Sequence, residues 1–366
     1  MEELSHIRLV CRYLRALGML PVVCAATLSG QVPPGALVIN TSPSFLSSLR
    51  FDSYDSADPV FSSGGRYDPA KFKANGDIRS SSPVTVGGNS AVFGRVWAPV
   101  AICSGSSRIG DISWVLSGQK GIQPGWVQPG TPFQFEDVAA PYPDAPQPFG
   151  GVVVIRGVTN SFGGILGNGD YLVLTNTPLA VTGVASLFAP NGFSGSISVA
   201  PGARLNMYVG AGLVLNGAGT NAQADFAKNL VVYCLPTVTN VSLNNGGFTG
   251  IIYAPQANVV LSGYVEIFGS VAARTASTFG TTLFHYDEQI SHWYPPMPAA
   301  IASARFVSGA GFQFDVLGSP GLNYVLQTST NLTDWIPSST NAAPFTYTDP
   351  DASFLPNRFY RASWAR

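Results

Sequence analysis

Two of the three histidines in the chain, His285 and His292, lie in one short segment together with Asp287 and Glu288. On an α-helix, residues 285, 288 and 292 share one face, and a His/Glu/His set on a helix face can bind a metal ion such as Zn²⁺. The alternative is that the two acids occupy the first turn of a capping helix, where the helix dipole stabilises them. We favour the capping helix and expect neither a metal nor another cofactor.

Three further acids, Asp52, Asp55 and Asp58, follow one another in a turn-rich stretch. Carboxylates at loop spacings can supply oxygen ligands to Ca²⁺. Their spacing does not match an EF-hand loop, so we favour solvated acids in turns.

Carboxylates that could cleave a polysaccharide are few and scattered between residues 84 and 280. Glycan cleavage needs such groups clustered on one face. Glu136 and Asp137 are adjacent, so in a strand their side chains would point in opposite directions. The other acids in this region are Asp111, Asp144, Asp170, Asp225 and Glu266. We therefore assign no catalytic residue.

Four aromatic residues, Trp97, Trp114, Trp126 and Tyr142, lie in or beside an irregular, proline-rich segment at about 104–148. Excursions from a regular scaffold commonly carry binding surfaces, and aromatic rings can stack on sugars. These residues are our candidates for glycan contact. The alternative is that they form local core.

The composition restricts both fold and partners. Lys and Arg number 19 and Asp and Glu 20, which gives a formal net charge of -1. A near-neutral chain without basic clusters is not expected to bind nucleic acid or an anionic membrane surface. Its 40 glycines and 28 prolines, placed between short Val, Ile and Leu runs, are typical of many short strands joined by tight turns.

A short apolar pattern returns around Pro201, Pro236 and Pro255. The last two are 19 residues apart, and the first interval is close to twice that step. A repeat of this length predicts a parallel β-helix with about three short strands per turn, in which each turn buries its apolar residues only against its neighbours. This alignment places the strand before Pro201 beside those that precede Pro236 and Pro255.

The strand pattern divides the chain into segments, with a boundary at a proline linker. We predict an irregular N-terminal region at 31–83, a β-helix at 84–284 with an excursion at about 104–148, a cap and linker at 285–302, and a small antiparallel β-sandwich at 303–366.

Residues 1–30 differ from the rest of the chain. Three arginines precede an apolar run of about 13 residues that ends before Ser29 and Gly30. Such a run is too short to span a bilayer but is typical of a secretory signal peptide. The alternatives are an incorrectly assigned start or a short N-terminal helix, and a lipoprotein signal at Cys24 is weak. We expect a signal peptide and no transmembrane span.

Removal of this leader would leave two cysteines, Cys103 and Cys234. They could form one bridge in an oxidising compartment. Cys234 lies inside an apolar run, where a free cysteine behaves as a small buried hydrophobe, and we favour that interpretation.

Several phrases resemble a bacterial domain of unknown function found in pilus-assembly-type and other secreted proteins. They are Asp52-Ser-Tyr-Asp-Ser56, Ala74-Asn-Gly-Asp-Ile78, Gly250-Ile-Ile-Tyr-Ala-Pro255 and His285-Tyr-Asp-Glu288. The resemblance covers about residues 40–290 and implies a parallel β-helix. Unlike the pilus-associated members, this chain shows no prepilin-like N-terminal helix in its sequence.

The tail, with its segments 321–335 and 358–361, resembles a small C-terminal β-domain appended to many large secreted bacterial proteins. That resemblance implies an accessory module at the cell surface. Neither family supplies catalytic residues.

The sequence therefore predicts a secreted or cell-surface structural or adhesive protein without catalysis. Its expected partners are cell-surface or extracellular matrix components, including polysaccharide. The alternative is a β-helix protein that binds or cleaves carbohydrate.

Overall fold

The computed structural model describes residues 35–45, 48–130, 133, 135–138, 140–141, 152–157, 165–173, 178–216, 220–223, 226–290, 300–317, 323–355 and 357–364. The fold is almost entirely β, with 58% strand and 6% helix. This confirms the predicted class, a parallel β-helix and small antiparallel sheets. The described residues between 35 and 290 form one compact unit, and those between 300 and 364 form another. The predicted leader at 1–30 lies outside the described residues.

The strands of the first unit are short, apart from the last. They are β1 (Leu37–Ile39), β2 (Ser44–Phe45), β3 (Leu49–Tyr54), β4 (Ile78–Ser80), β5 (Val84–Val86), β6 (Ala91–Phe93), β7 (Val96–Trp97), β8 (Ala101–Cys103), β9 (Arg108–Gly110), β10 (Gly121–Ile122), β11 (Val127–Gln128), β12 (Val152–Gly157), β13 (Ile165–Leu166), β14 (Gly169–Val173), β15 (Leu179–Val181), β16 (Val184–Ala189), β17 (Phe193–Gly195), β18 (Ile197–Val199), β19 (Arg204–Val209), β20 (Leu213–Asn216), β21 (Thr220–Gln223), β22 (Leu230–Cys234) and β23 (Asn240–Asp287).

The helices of this unit are short. They are α1 (Ile112–Leu116) and two 3₁₀ helices, Ala227–Asn229 and Glu288–Ile290. In the part of the chain that the structure describes, no helix has the length and apolar character needed to cross a membrane.

The segment β23 is extended for 48 residues but turns several corners. A straight strand of that length would measure about 160 Å. Positive φ angles at Gly246, Gly263, Gly269 and Gly280 mark the bends. Its successive parts therefore pair with different strands of the stack.

Consecutive coils lie in parallel register. Met207 pairs with Val232, which pairs with Ile252, 20 residues further on. The predicted alignment was wrong by one strand at its first member, because Ile197–Val199 pairs with Leu179–Val181 instead. The coil from Leu205 to Leu230 is 25 residues long, so the proline spacing there does not follow the strand register.

The coils do not stack in the order of the sequence. Leu37 in β1 is the register partner of Val271 in β23 on one side and of Ile78 in β4 on the other. Strand β3 likewise lies between β23 and β6. The first coil of the chain is therefore inserted between the last coil and the second one. We call this junction of β1 and β3 with β23 the seam.

The prediction of an irregular region at 31–83 is therefore wrong for β1, β3 and β4, which belong to the β-helix. The strands there are three to six residues long, and a 23-residue connection, 55–77, separates β3 from β4. Such short runs carry too few alternating positions for a periodic signal.

Apolar side chains fill the interior across the seam. The rings of Phe51 and Phe284 are stacked with centroids 4.5 Å apart and an interplanar angle of 5°. Leu37, Val271 and Ile78 are all 0% exposed. Full burial of one such aliphatic side chain contributes about 1.5–3 kcal/mol to stability, so the first and last coils share one continuous core.

The predicted excursion at 104–148 is coil in part. Strands β9, β10 and β11 continue the stack. Beyond them, Phe135 packs edge-on against Tyr253 at 5.8 Å, and the Tyr253 hydroxyl donates to the carbonyl oxygen of Glu136 at 2.8 Å. The described end of the excursion thus covers one outer face of the β-helix, where the ring of Tyr253 packs against an apolar partner.

The second unit is a β-sandwich, as predicted. Its strands are β24 (Ala300–Val307), β25 (Gly311–Leu317), β26 (Asn323–Ser329), β27 (Ile336–Ala342), β28 (Phe345–Asp349) and β29 (Phe359–Trp364). They form two antiparallel sheets, β24–β25–β28 and β27–β26–β29. Phe314 and Val316 of one sheet share a core with Tyr324 and Leu326 of the other.

Candidate functional site

A group of charged and polar residues of the first unit meets at the seam. In the register of β3 and β23, Phe51 lies beside Phe284 and Asp52 beside His285. Successive side chains of a strand point to opposite faces. Because the phenylalanines point into the core, Asp52 and His285 lie on the outer side of the same two strands. We call Arg50, Asp52, Tyr67, Glu266 and His285 the seam network.

His285 is held between two carboxylates. Its Nδ1 atom lies 2.6 Å from Oδ1 of Asp52, and its Nε2 atom lies 3.1 Å from Oε1 of Glu266. Its side chain is 2% exposed and that of Asp52 is 0% exposed. Burial alone lowers the pKa of His285, but the hydrogen bonds and charges of Asp52 and Glu266 outweigh it, so the pKa is raised. Two carboxylate neighbours favour the imidazolium, which donates through both nitrogens.

Asp52 is the hub of the network. Its Oδ2 atom accepts from Nε of Arg50 at 2.6 Å and from the Tyr67 hydroxyl at 2.9 Å. The Tyr67 ring also stacks on His285, with centroids 3.7 Å apart. Burial and the charge of Asp52 raise the pKa of Tyr67, so its hydroxyl remains a donor.

Two phenylalanines position Arg50. Its guanidinium lies 4.7 Å from the ring centroid of Phe72 and 5.0 Å from that of Phe93. Burial alone lowers the pKa of Arg50, but Asp52 and Tyr67 outweigh it and the pKa is raised. The guanidinium therefore stays charged, in cation–π contact with two aromatic rings.

The residues that follow His285 hold the connection 55–77 in place through hydrogen bonds and an ion pair. The Glu288 carboxylate accepts from the Ser53 hydroxyl at 2.9 Å and from Nδ2 of Asn75 at 2.8 Å, and it pairs with Lys73. The Oδ1 atom of Asp287 accepts from the backbone N–H groups of Ser56 and Gln289, each at 3.2 Å. The Oδ2 atom of Asp287 is buried without a partner, and burial raises the pKa of this carboxyl.

This arrangement has the parts of a proton relay but no access for a substrate. A general base must reach the proton that it removes. Both nitrogens of His285 and both oxygens of Asp52 already contact partners inside the protein. The geometry therefore suits a buried ionic lock between the first and last coils.

The residues considered as metal ligands do not share a helix face. His285 lies in β23, because that segment continues through Asp287 by pairing with β3, and Glu288 begins a 3₁₀ helix. His292 lies outside the described residues. Among the described residues, no three His, Cys, Asp or Glu side chains are grouped to hold a metal ion.

The acids proposed for Ca²⁺ do not converge either. Asp52 belongs to the seam network. Asp55 and Asp58 accept from the backbone N–H groups of Ala57 and Val60, at 3.0 and 2.8 Å, so each caps its own turn.

The structure brings two of the four candidate glycan contacts together. Trp97 and Trp126 are partly exposed on adjacent coils, where the guanidinium of Arg79 lies over the Trp97 ring at 4.5 Å and that of Arg95 over the Trp126 ring at 4.8 Å. With Asp77 and Gln128, these residues form a surface that we call the Trp–Arg patch. Trp114 lies apart from it on α1, and Tyr142 lies outside the described residues.

Both free cysteines bear out the favoured interpretation. Cys103 and Cys234 are unbridged. Cys234 is buried among apolar residues, which raises the pKa of its thiol to about 12.

Sequence reasoning missed the seam network itself. Asp52 and His285 are 233 residues apart, and no spacing rule relates them. One feature of the sequence does connect them. Asp52 and His285 lie in segments that resemble the same family, as do Ser53, Ser56 and Asn75.

In a comparison with known families, residues 189–293 match DUF7305, a domain of unknown function. The DUF7305 stretch contains Glu266 and the phrase from His285 to Glu288, but not Asp52 or Arg50. Two of the five residues of the seam network, Glu266 and His285, therefore lie in the DUF7305 stretch, and the other three precede it in the chain. A comparison with curated proteins finds no match.

Proposed function

We propose that this protein is a secreted or cell-surface structural or adhesive protein that acts through surface contact and without catalysis. The observation that carries the proposal is the placement of His285, whose two ring nitrogens are hydrogen-bonded to carboxylates while its side chain is 2% exposed. A histidine in this state takes no proton from a substrate. The polar groups of the seam hold coils together, and the outer faces remain for contact.

The outer faces support this proposal. Outward positions on successive coils carry polar side chains that bond to one another, as Nδ2 of Asn244 does to Oδ1 of Asn216 at 2.8 Å. Because each coil buries its core only against its neighbours, the stack is a rigid base for such surfaces.

Two sequence features support the location. The predicted signal peptide at 1–30 and the resemblance to secreted bacterial domains both favour an extracytoplasmic protein of bacterial origin. Its partners would be cell-surface or matrix components, including polysaccharide.

The proposal is tested with the purified protein in two assays. Protein-coated beads are applied to surfaces that carry extracellular polysaccharides or matrix proteins, and their retention is measured. The soluble protein is incubated with the same polysaccharides, and new reducing ends and unsaturated products are measured. We expect retention without product. Product release that disappears in Glu266→Gln would contradict the absence of catalysis, and failure of retention on every surface would contradict an adhesive role.

A second candidate function, carbohydrate binding, is favoured by the Trp–Arg patch. Partly exposed tryptophans held by charged neighbours are suited to stacking on sugar rings and hydrogen bonding to their hydroxyl groups.

A further inference from the structure

The Trp–Arg patch spans three consecutive coils. Ile78, Val96 and Val127 are register partners in its centre, and Ile78 and Val96 are 0% exposed, so the flanking residues point outward. Two outward columns result, Asp77–Arg95–Trp126 and Arg79–Trp97–Gln128. Neighbouring coils are about 4.8 Å apart, and neighbouring outward residues of one strand are about 6.7 Å apart.

Internal contacts fix the side chains of the patch. The guanidinium of each arginine lies over the tryptophan ring of the next coil. Asp77 accepts from Nε1 of Trp97 at 2.9 Å and from the backbone N–H of Arg95 at 2.8 Å. A ligand would therefore meet groups that are already ordered, which lowers the entropy cost of binding.

The patch carries more positive than negative charge. Two guanidinium groups face one carboxylate, and Asp77 lies 3.5 Å from Nη2 of Arg79. Among the described residues, the guanidinium of Arg95 has the Trp126 ring and the charge of Asp77 as neighbours but no hydrogen-bond acceptor. A guanidinium has five N–H donors in a planar fork that matches a carboxylate. Arg95 thus keeps donors for an anionic group.

We propose that the Trp–Arg patch binds an acidic saccharide, a sugar chain that carries carboxylates as uronic acids do. The C–H face of a sugar ring stacks on Trp97 or Trp126, its carboxylate accepts from Arg95, and its hydroxyl groups bond to Gln128. This inference rests on the second candidate function, carbohydrate binding, and names its ligand class.

Nucleic acid fits the patch less well. Bases also stack on aromatic rings, but single strands are bound in grooves with a continuous positive charge along the backbone. The net charge of this chain is -1. The patch has two cations, Arg79 and Arg95, next to the carboxylate of Asp77, and not a continuous row of cations.

The test measures binding of the full protein to a short oligogalacturonate by titration calorimetry. A maltooligosaccharide of equal length and polyuridylate are the comparison ligands. We expect binding to oligogalacturonate that is at least about tenfold tighter than to either comparison ligand and that weakens with salt. Arg95→Gln should weaken it about tenfold or more, since it removes a charge-assisted bond, and Arg95→Lys should restore part of the loss.

Arg204→Gln is the matched control, because Arg204 is an exposed arginine on β19 outside the patch. This variant should bind as the parent does. Trp97→Phe, which keeps a ring but loses the Nε1 bond to Asp77, should weaken binding severalfold. Unfolding curves of every variant confirm that it is folded.

The outcomes separate the two proposals. Equal affinity for the neutral saccharide, lost in Trp97→Phe, would overturn the acidic ligand and keep carbohydrate binding. Preference for polyuridylate, or oligogalacturonate binding unchanged in both Arg95→Gln and Trp97→Phe, would overturn the site. Absence of binding to any saccharide would overturn the site and carbohydrate binding together, whereas bead retention would still test the adhesive role.

Discussion

The protonation of His285 makes the stability of the seam depend on pH. Burial alone lowers the pKa of this residue, but Asp52 and Glu266, which face its two nitrogens, raise it above the unfolded value of about 6.5. Arg50 and Tyr67 contact Asp52 on its other oxygen. A raised pKa of a base gives stability that is complete below the unfolded pKa and is lost as pH rises through the folded pKa. We therefore expect the thermal midpoint of the coil unit to fall as pH increases above about 6.5.

The variant His285→Gln tests this dependence. It should lower the free energy of unfolding by about 3 kcal/mol at pH 6, because it breaks a buried pair, and should flatten the decline of the midpoint at higher pH. An unchanged pH slope in the glutamine variant would assign the decline to other groups.

Asp287 is a buried carboxylate in which Oδ1 accepts hydrogen bonds but Oδ2 has no partner. Burial raises the pKa of Asp287, so folding favours its neutral form. The stability that this neutral form contributes is complete below the unfolded pKa and is lost as pH rises through the folded pKa. Asp287→Asn keeps an acceptor for Ser56 and Gln289 and removes the charge. Urea unfolding should show a gain of about 1 kcal/mol at pH 7 that disappears in acid. A loss of stability at pH 7 would mean that the charge itself stabilises the connection 55–77.

Single residues were predicted with mixed success for a physical reason. The buried Cys234 depends on local sequence, and its interpretation was confirmed. The interpretation as acids in turns holds for Asp55 and Asp58 but was wrong for Asp52, which is buried at the seam. The role of His285 depends on Asp52, which only the three-dimensional stack brings to it. The proposed metal set failed as a helix face because pairing with β3 keeps the backbone extended through Asp287.

At the scale of elements, close backbone contacts hold the connection 55–77 against β3. A Cβ atom on Gly76 would lie 2.5 Å from the backbone nitrogen of Asp52. Gly76→Ala should therefore displace the hub of the seam network and reduce the free energy of unfolding by about 3 kcal/mol. Gly212→Ala is the control, since a Cβ there meets no atom within 4 Å. Denaturant titration of both variants checks the prediction, which fails if they are equally stable.

Element types were predictable where the chain repeats. Apolar alternation around Pro236 and Pro255 placed Val232 and Ile252 correctly in parallel coils. The strand Ile197–Val199 was assigned to the wrong neighbours because the next coil is longer. Strands β1 and β4, of three residues each, carry no periodic signal, so their place in the β-helix comes from packing alone.

At the scale of the whole coil unit, the chain leaves one junction and later returns to it from the other side. The coils from β1 to β11 extend from one side of the seam, and those ending in β23 arrive at the other. Nothing in a repeat reveals such an order, because every coil presents similar inward residues to its neighbours. The seam network supplies what the repeat lacks, specific polar partners that distinguish this junction from all other pairs of coils.

A disulfide across the seam tests this order directly. Val38 and Ala272 are register partners on the outer side of β1 and β23, and neighbouring strands place their Cα atoms about 4.8 Å apart, within the range for a disulfide. In a background without the four native cysteines, Val38→Cys with Ala272→Cys should oxidise readily. It should raise the free energy of unfolding by about 3–5 kcal/mol, because it closes a very long loop.

The control pair is Val38→Cys with Ser198→Cys, whose partners lie on different parts of the stack. Mass spectrometry of peptides should find the bridge in the first pair and free thiols in the second. Sequential stacking would place the first coil far from β23, so a missing bridge in a folded first pair would refute the inserted order. A bridge with unchanged stability would show instead that the seam stays closed in the unfolded reference state.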